Sequence, residues 1–214
     1  MNEQDSQGGA DQVDRRNEQR HITTYRPCCI EAEGGAYLGI IRNISPGGVQ
    51  IETTYQPVTG QHLTYFWDGG PAAEAEVAWC ADGRLGLRNI TVFHHDADDF
   101  PPRAIRIPTD LRADIWIGDD CYNVGVANIS QSGLLAYGLP AIPDCGLMSV
   151  ELENDCFPNA SLRWCRDGSA GIKFERPIPL KRLRAILERN AERTENGAAF
   201  DGSVRSFTTR ASAA

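Results

Sequence analysis

A tandem repeat restricts the fold of this chain more than any other feature of its sequence. The segment AEVAWCADGRLGLRNI (75–90) aligns without a gap on ASLRWCRDGSAGIKFE (160–175), a displacement of 85 positions. The stretches RNISPGGVQIE (42–52) and ANISQSGLLAY (127–137) repeat with the same displacement. A constant displacement over this many positions indicates a duplication, so both copies are expected to form the same fold.

The pattern within each copy predicts short antiparallel strands. Two apolar runs flank a Gly-Gly pair in residues 29–45, which predicts a hairpin, and Asp-Gly pairs predict a tight turn later in each copy. Such strands favour a small barrel or sandwich in each copy. Upstream, Arg20 and Arg26 are displaced by 86 positions onto Arg106 and Arg112, which predicts one residue gained or lost in the intervening hairpin.

The end of the chain predicts a helix, and the remaining segments predict the domain boundaries. Apolar residues of PLKRLRAILERNAERTE fall on one helical face, which is expected to close the second barrel: Leu180, Leu183, Ile186 and Leu187. The acidic segment HHDADDFPP suits a linker. We therefore expect a disordered tail at 1–14, a first domain at 15–92, a linker at 93–102, a second domain with its closing helix at 103–193, and a disordered tail at 194–214.

Composition argues against several classes of protein. The net charge of −8 and pI near 5.0 disfavour binding to duplex nucleic acid, which needs a basic face. With neither an export signal nor a long apolar run, we expect no membrane span and a cytoplasmic location. The seven cysteines, an odd number, are then expected to be reduced thiols. The sequence contains no CxxC pair, so a zinc knuckle is not expected.

A polar arm and a strand motif in the first copy carry groups suited to an anionic guanine nucleotide. Arginine forks match the guanine edge or phosphate oxygens, while an asparagine and a serine offer hydrogen bonds to a base edge and a phosphate. Two glycines would let a ring or phosphate approach the backbone and would permit positive φ. The candidate residues are Arg15, Arg16, Arg20, Asn43, Ser45, Gly47 and Gly48.

Each of these fragments also has an ordinary structural interpretation. Arginines before a strand are usually solvated, Asn-x-Ser is a common turn, and a glycine pair often serves a bulge. The joint spacing is what favours a binding site. Trp79 and Trp164 occupy equivalent strand positions and are expected in the barrel cores, with Cys80 and Cys165 facing the other way.

The spacing RxxxR followed by (D/N)xSxxG resembles the PilZ domain family, bacterial receptors for the second messenger cyclic di-GMP (c-di-GMP). Arg16 and Arg20 match the first motif, and Asn43, Ser45 and Gly48 match the second. The resemblance covers both copies and implies an all-β fold: two tandem six-stranded antiparallel PilZ-type β-barrels with a C-terminal α-helix. It also implies that the arm arginines grip guanine and phosphate against the Asn-Ser-Gly strand.

The second copy departs from this pattern. If Arg106 matches Arg20, then Pro102 stands where Arg16 should be, so half of the arginine clamp is missing and the arm is stiffened. We expect the first copy to bind c-di-GMP and the second to serve as a structural or partner-contacting module. A second site, if present, would use Arg103, Arg106, Asn128, Ser130 and Gly133.

These features predict a non-enzymatic c-di-GMP receptor or adaptor without a cofactor. Binding is expected to order the arm and to signal to a protein partner in motility, polysaccharide or regulatory machinery, and a homodimer is a further possibility. The alternative is a nucleotide-independent PilZ-like interaction module. Hydrolysis by His94 and His95 is the least favoured function, because no third ligand is spaced to complete a metal site.

Overall fold

The computed structural model describes residues 25–67, 72–91, 104–140 and 146–195. These residues form two closed six-stranded antiparallel barrels and a C-terminal helix, which confirms the predicted fold class. Outside the described residues lie the arm with Arg15, Arg16 and Arg20, the predicted tail at 1–14, residues 196–214, the predicted linker and Arg103. The closing helix continues two residues past the predicted boundary at 193.

The first barrel closes in the order β1-β2-β3-β6-β5-β4, with β4 pairing back onto β1. Its alternating strands place one side chain in two inside the barrel, as in Val49 and Ile51 on either side of outward-facing Gln50. The strands are β1 Arg26–Ala32, β2 Gly35–Ser45, β3 Gly48–Glu52, β4 His62–Phe66, β5 Ala73–Ala81 and β6 Arg84–Asn89.

The second barrel repeats this topology and adds two elements. Six strands close in the order β8-β9-β10-β13-β12-β11, while the short β7 attaches to β9. The elements are β7 Ile107–Pro108, β8 Arg112–Ile117, β9 Asp120–Ser130, β10 Gly133–Tyr137, β11 Leu147–Leu152, β12 Asp155–Arg166, β13 Ser169–Lys173 and α1 Leu180–Glu195. Among the described residues, no helix is long and apolar enough to cross a membrane.

The Asp-Gly turns form as predicted in both copies. Asp82 and Gly83 have φ of 50° and 70°, and Asp167 and Gly168 have φ of 50° and 73°. Two consecutive residues in the left-handed region make a tight turn whose twist matches the flanking strands, which Asp and Gly tolerate best. Each pair therefore closes the hairpin between the last two strands of its barrel.

The first hairpin corrects the predicted insertion. Ala32 pairs with Gly35 in one copy and Ile117 pairs with Asp120 in the other, so both hairpins have a two-residue turn at a displacement of 85. The insertion expected in this hairpin is therefore absent. If Arg106 corresponds to Arg20, the one-residue offset lies upstream, before β8 begins.

Trp79 and Trp164 correct the predicted core. Trp79 and Trp164 are 41% and 50% exposed, because a β-bulge after Val77, and its equivalent in β12, shifts the side-chain alternation by one position. Cys80 and Cys165 consequently pack against the interiors of their own barrels. The expected orientations of tryptophan and cysteine are thus reversed.

Two buried residues of the first barrel pack into the hydrophobic core that the second barrel forms with the helix. Cys29 and Leu38 of the first barrel belong to the same buried cluster as Leu183 and Ile186 of α1 and the interior of the second barrel. This packing confirms the predicted apolar face of the helix. Burial raises the pKa of the Cys29 thiol to about 12, so this thiol stays protonated at neutral pH.

Candidate functional site

The asparagine of the strand motif lies at one end of a row that crosses four strands of the first barrel. Asn43 on β2 pairs with Gln50, Gln50 pairs with Gly86, and Gly86 pairs with Trp79 on β5. Residues in one row of a sheet point to the same face, here the outside. Three strand spacings make this row about 14 Å long, enough for an extended planar ligand.

Trp79 forms a flat platform at the other end of this row. Its indole covers Gly86 so closely that a Cβ on that glycine would lie 2.0 Å from the indole Nε1. The same arrangement recurs in the second barrel with Trp164 over Gly171. Sequence reasoning missed this platform, although a Trp followed seven residues later by a Gly in both copies was the available signal.

The serine and the second glycine of the motif lie in the next row but are occupied by the fold itself. The Ser45 hydroxyl donates to the Gly48 carbonyl oxygen at 3.2 Å, which closes the β2–β3 turn. A Cβ on Gly48 would lie 2.2 Å from the Leu87 carbonyl oxygen, so close strand packing demands glycine there. Neither Gly47 nor Gly48 has positive φ, which corrects that part of the prediction.

The cations next to Asn43 and Gly48 are already neutralised. Arg88, next to Gly48, pairs with Glu76 at 2.5 Å. Arg42, the extra residue of a β-bulge beside Asn43, pairs with Glu52 at 2.5 Å. Hydrogen bonding from Arg42 is the main reason why the pKa of Glu52 is lowered, so this pair is ionised at neutral pH.

Asn89 and Tyr65 hold the motif loop in place. The Asn89 backbone N–H donates to the Gly47 carbonyl oxygen at 3.0 Å. The Asn89 side-chain amide donates to the Pro46 carbonyl oxygen at 3.2 Å. The Tyr65 hydroxyl donates to the Asn89 Oδ1 at 2.8 Å. Burial raises the pKa of Tyr65, so its hydroxyl remains a donor across the physiological range.

Replacing Asn89 by alanine should loosen this loop. The change leaves the Tyr65 hydroxyl without its acceptor and the Pro46 carbonyl without its donor, which we expect to cost about 1–2 kcal/mol of stability. Amide hydrogen exchange should accelerate at Gly47 and Gly48. Asn123→Ala, in the second barrel, is the control, and equal exchange in the two variants would exclude a positioning role for Asn89.

The described part of the predicted second site comes together around a cavity of about 290 Å³ in the second barrel. Ser130 is buried there and repeats the turn-closing bond, donating to the Gly133 carbonyl oxygen at 3.1 Å. The predicted residues that line the cavity are Arg106, Asn128, Ser130 and Gly133.

Comparison with known families finds a match over the first copy. Residues 14–96 match the family model described as the PilZ domain, an interval that includes the arm and the whole first barrel. No curated protein matches the chain significantly.

Three solved structures are among those similar to this chain at low sequence identity. PlzA of Borreliella burgdorferi in complex with c-di-GMP is 11% identical, with 78% of this chain and 87% of that chain covered and a TM-score of 0.33. YcgR of Escherichia coli in complex with c-di-GMP is 17% identical, with 80% and 88% covered and a TM-score of 0.31. MotI/DgrA of Bacillus subtilis, an inhibitor of motility, is 13% identical, with 83% and 100% covered and a TM-score of 0.32.

Proposed function

Since residues 14–96 of this chain match the PilZ domain model, we propose that the protein is a receptor for c-di-GMP that acts by binding the dinucleotide and not by catalysis. The observation that carries this proposal is the outward row from Asn43 to Trp79 beside the motif loop. A polar amide at one end and an aromatic platform at the other match a ligand that has both a hydrogen-bonding edge and flat rings.

The arm joins the barrel next to this row. Tyr25, the first described residue, lies under the Arg42 guanidinium at 4.7 Å from its ring centroid, and Arg42 directly precedes Asn43. Arg20 is five residues before Tyr25, a chain length of roughly 18 Å at full extension. The arginines of the RxxxR motif are therefore within reach of the Asn43 row.

Each candidate residue has a distinct role in the proposed complex. Arg16 and Arg20 supply the cationic groups for phosphate and for the guanine O6/N7 edge, while Asn43 binds a base edge. Arg15 is positioned in the sequence to contact a second, intercalated dinucleotide. Ser45, Gly47 and Gly48 shape the loop, with the serine hydroxyl oxygen still able to accept a hydrogen bond.

Binding in the first barrel has a direct route to the second. Glu52, which holds Arg42 beside Asn43, also contacts Arg184 of α1 at 3.5 Å. Arg42, Glu52 and Arg184 thus form one ion-pair network. Ordering the arm over Arg42 changes the environment of this network and so the contact of the first barrel with α1. The changed surface is the proposed signal to a protein partner in motility, polysaccharide or regulatory machinery.

Titration of the full chain with c-di-GMP tests the proposal. A ligand that binds the folded state adds about 2.7 kcal/mol of stability at 100 times its dissociation constant, so thermal melting should shift upward with the dinucleotide. Cyclic di-AMP, which has the same ring of two phosphodiesters and a different base edge, serves as the matched control. An unchanged melting curve and no heat of binding would favour the nucleotide-independent interaction module.

A further inference from the structure

The cavity of the second barrel differs from the equivalent face of the first in its charge. Its wall is built from the same two rows: Asn128, Leu135, Gly171 and Trp164 in one, and Ser130, Gly133 and Lys173 in the next. Two substitutions at equivalent positions, 85 residues apart, change what these rows present.

The first substitution removes the carboxylate that would neutralise a cation. In the first barrel Glu76 pairs across the strands with Arg88 and neutralises it. The position equivalent to Glu76 is Ser161, which pairs with Lys173. Lys173 therefore lines the cavity without the cross-strand carboxylate of the first barrel.

The second substitution adds a cation. Ala78 at the bulge of the first barrel corresponds to Arg163 at the bulge of the second, next to Trp164. Arg106 enters the same cavity from the segment before β7. None of the three cations forms an ion pair with a residue that the structure describes, and no carboxylate is among the described residues that line the cavity.

Three cations that have no ion pair among the described residues surround one concave site and favour an anion, and the exposed indole favours a flat ring beside it. The cavity of about 290 Å³ lies just below the usual range of ligand pockets, about 300–1,000 Å³, and so suits one nucleotide unit better than a whole dinucleotide.

We propose that the second barrel has a ligand site of its own, in which Arg106, Arg163 and Lys173 hold the phosphate of a nucleotide and Trp164 stacks on its base. The cationic groups of this site come from the barrel wall, where the first copy depends on its arm. The site therefore does not need the arginine that Pro102 replaces, and it does not depend on ligand binding in the first barrel.

The test uses the full chain with Arg16→Ala and Arg20→Ala, which remove the arm clamp of the first barrel. This background is titrated calorimetrically with GMP, with c-di-GMP and with pyrophosphate. GMP should bind, and Arg163→Ala or Lys173→Ala should weaken it about tenfold, the loss of one charge-assisted contact. Trp164→Leu should weaken GMP at least fivefold and leave pyrophosphate unchanged. Arg166→Ala, on the same strand outside the cavity, is the matched control.

The possible outcomes distinguish a mononucleotide from a dinucleotide, and the site of the second barrel from that of the first. Tighter binding of GMP than of c-di-GMP supports a mononucleotide, and the reverse supports one end of a dinucleotide. Failure of both nucleotides to bind the background, or equal binding in the Arg163→Ala/Lys173→Ala double variant, would overturn the second site. The first site is judged separately, by the effect of Arg16 and Arg20 on c-di-GMP binding, so each proposal can fail alone. Thermal melting of every variant establishes that it is folded.

Discussion

Replacing Arg16 or Arg20 by alanine should weaken c-di-GMP binding by about 5- to 150-fold for each arginine, the range expected for loss of a bidentate contact. The reason lies in the charge of the described face. The two cations beside Asn43 and Gly48, Arg42 and Arg88, are both held in ion pairs with glutamates. At the motif, a ligand with two phosphodiesters therefore draws its positive charge from the arm.

Calorimetric titration of the single variants with c-di-GMP measures this effect. Arg103→Ala is the matched control, since it changes an arginine before the second barrel and should leave the affinity of the first barrel unaltered. Arg15→Ala tests the role of Arg15 separately. A stoichiometry that falls from two dinucleotides per chain to one would place Arg15 at an intercalated second ligand. Wild-type affinity in both Arg16→Ala and Arg20→Ala would refute the assignment of the arm.

The architecture of the molecule was predictable because its signals are local and occur twice. The Asp-Gly turns, the strand alternation around Val49 and Ile51, and the apolar face of α1 each follow from short-range stereochemistry. The duplication then required both copies to obey the same pattern. The predicted domain boundaries in the arm and the linker lie outside the described residues and stay predictions.

The exposed tryptophans were not predictable from alternation, because a bulge inserts a residue that has no signature of its own. Counting from Val77 places Trp79 inside the barrel, whereas the bulge between them turns it outward. The hydrophobicity of tryptophan reinforced the wrong choice. What compensates in the structure is glycine: the indole packs on the bare backbone of Gly86, which covers part of its surface without entering the core.

The cation set of the second barrel was missed for a different reason. The RxxxR motif specifies arginines on an arm, whereas Arg163 and Lys173 belong to strands β12 and β13. Their proximity depends on strand order, since β13 pairs with both β10 and β12 and so brings Lys173 beside Gly133. Comparing the copies position by position, Glu76 with Ser161 and Ala78 with Arg163, would have shown the charge difference.

The second large effect concerns stability: Gly48→Ala should destabilise the first barrel by about 3 kcal/mol, the upper end of overpacking penalties. The added Cβ would lie 2.2 Å from the Leu87 carbonyl oxygen, a backbone atom that can move only if β3 and β6 separate. Urea denaturation followed by tryptophan fluorescence measures the loss. Gly47→Ala is the control, because Gly47 is exposed and has no positive φ.

Gly133→Ala extends the argument to the second barrel, where the added Cβ would lie 2.1 Å from the Ile172 carbonyl oxygen. A comparable loss in both variants would mean that the motif glycine is needed to pack the barrel, whichever ligand the barrel binds. Its presence in the second copy would then follow from the fold alone, and ligand preference would be set by the cations around it. Full stability in Gly48→Ala, together with loss of c-di-GMP binding, would contradict this and assign the glycine to the ligand.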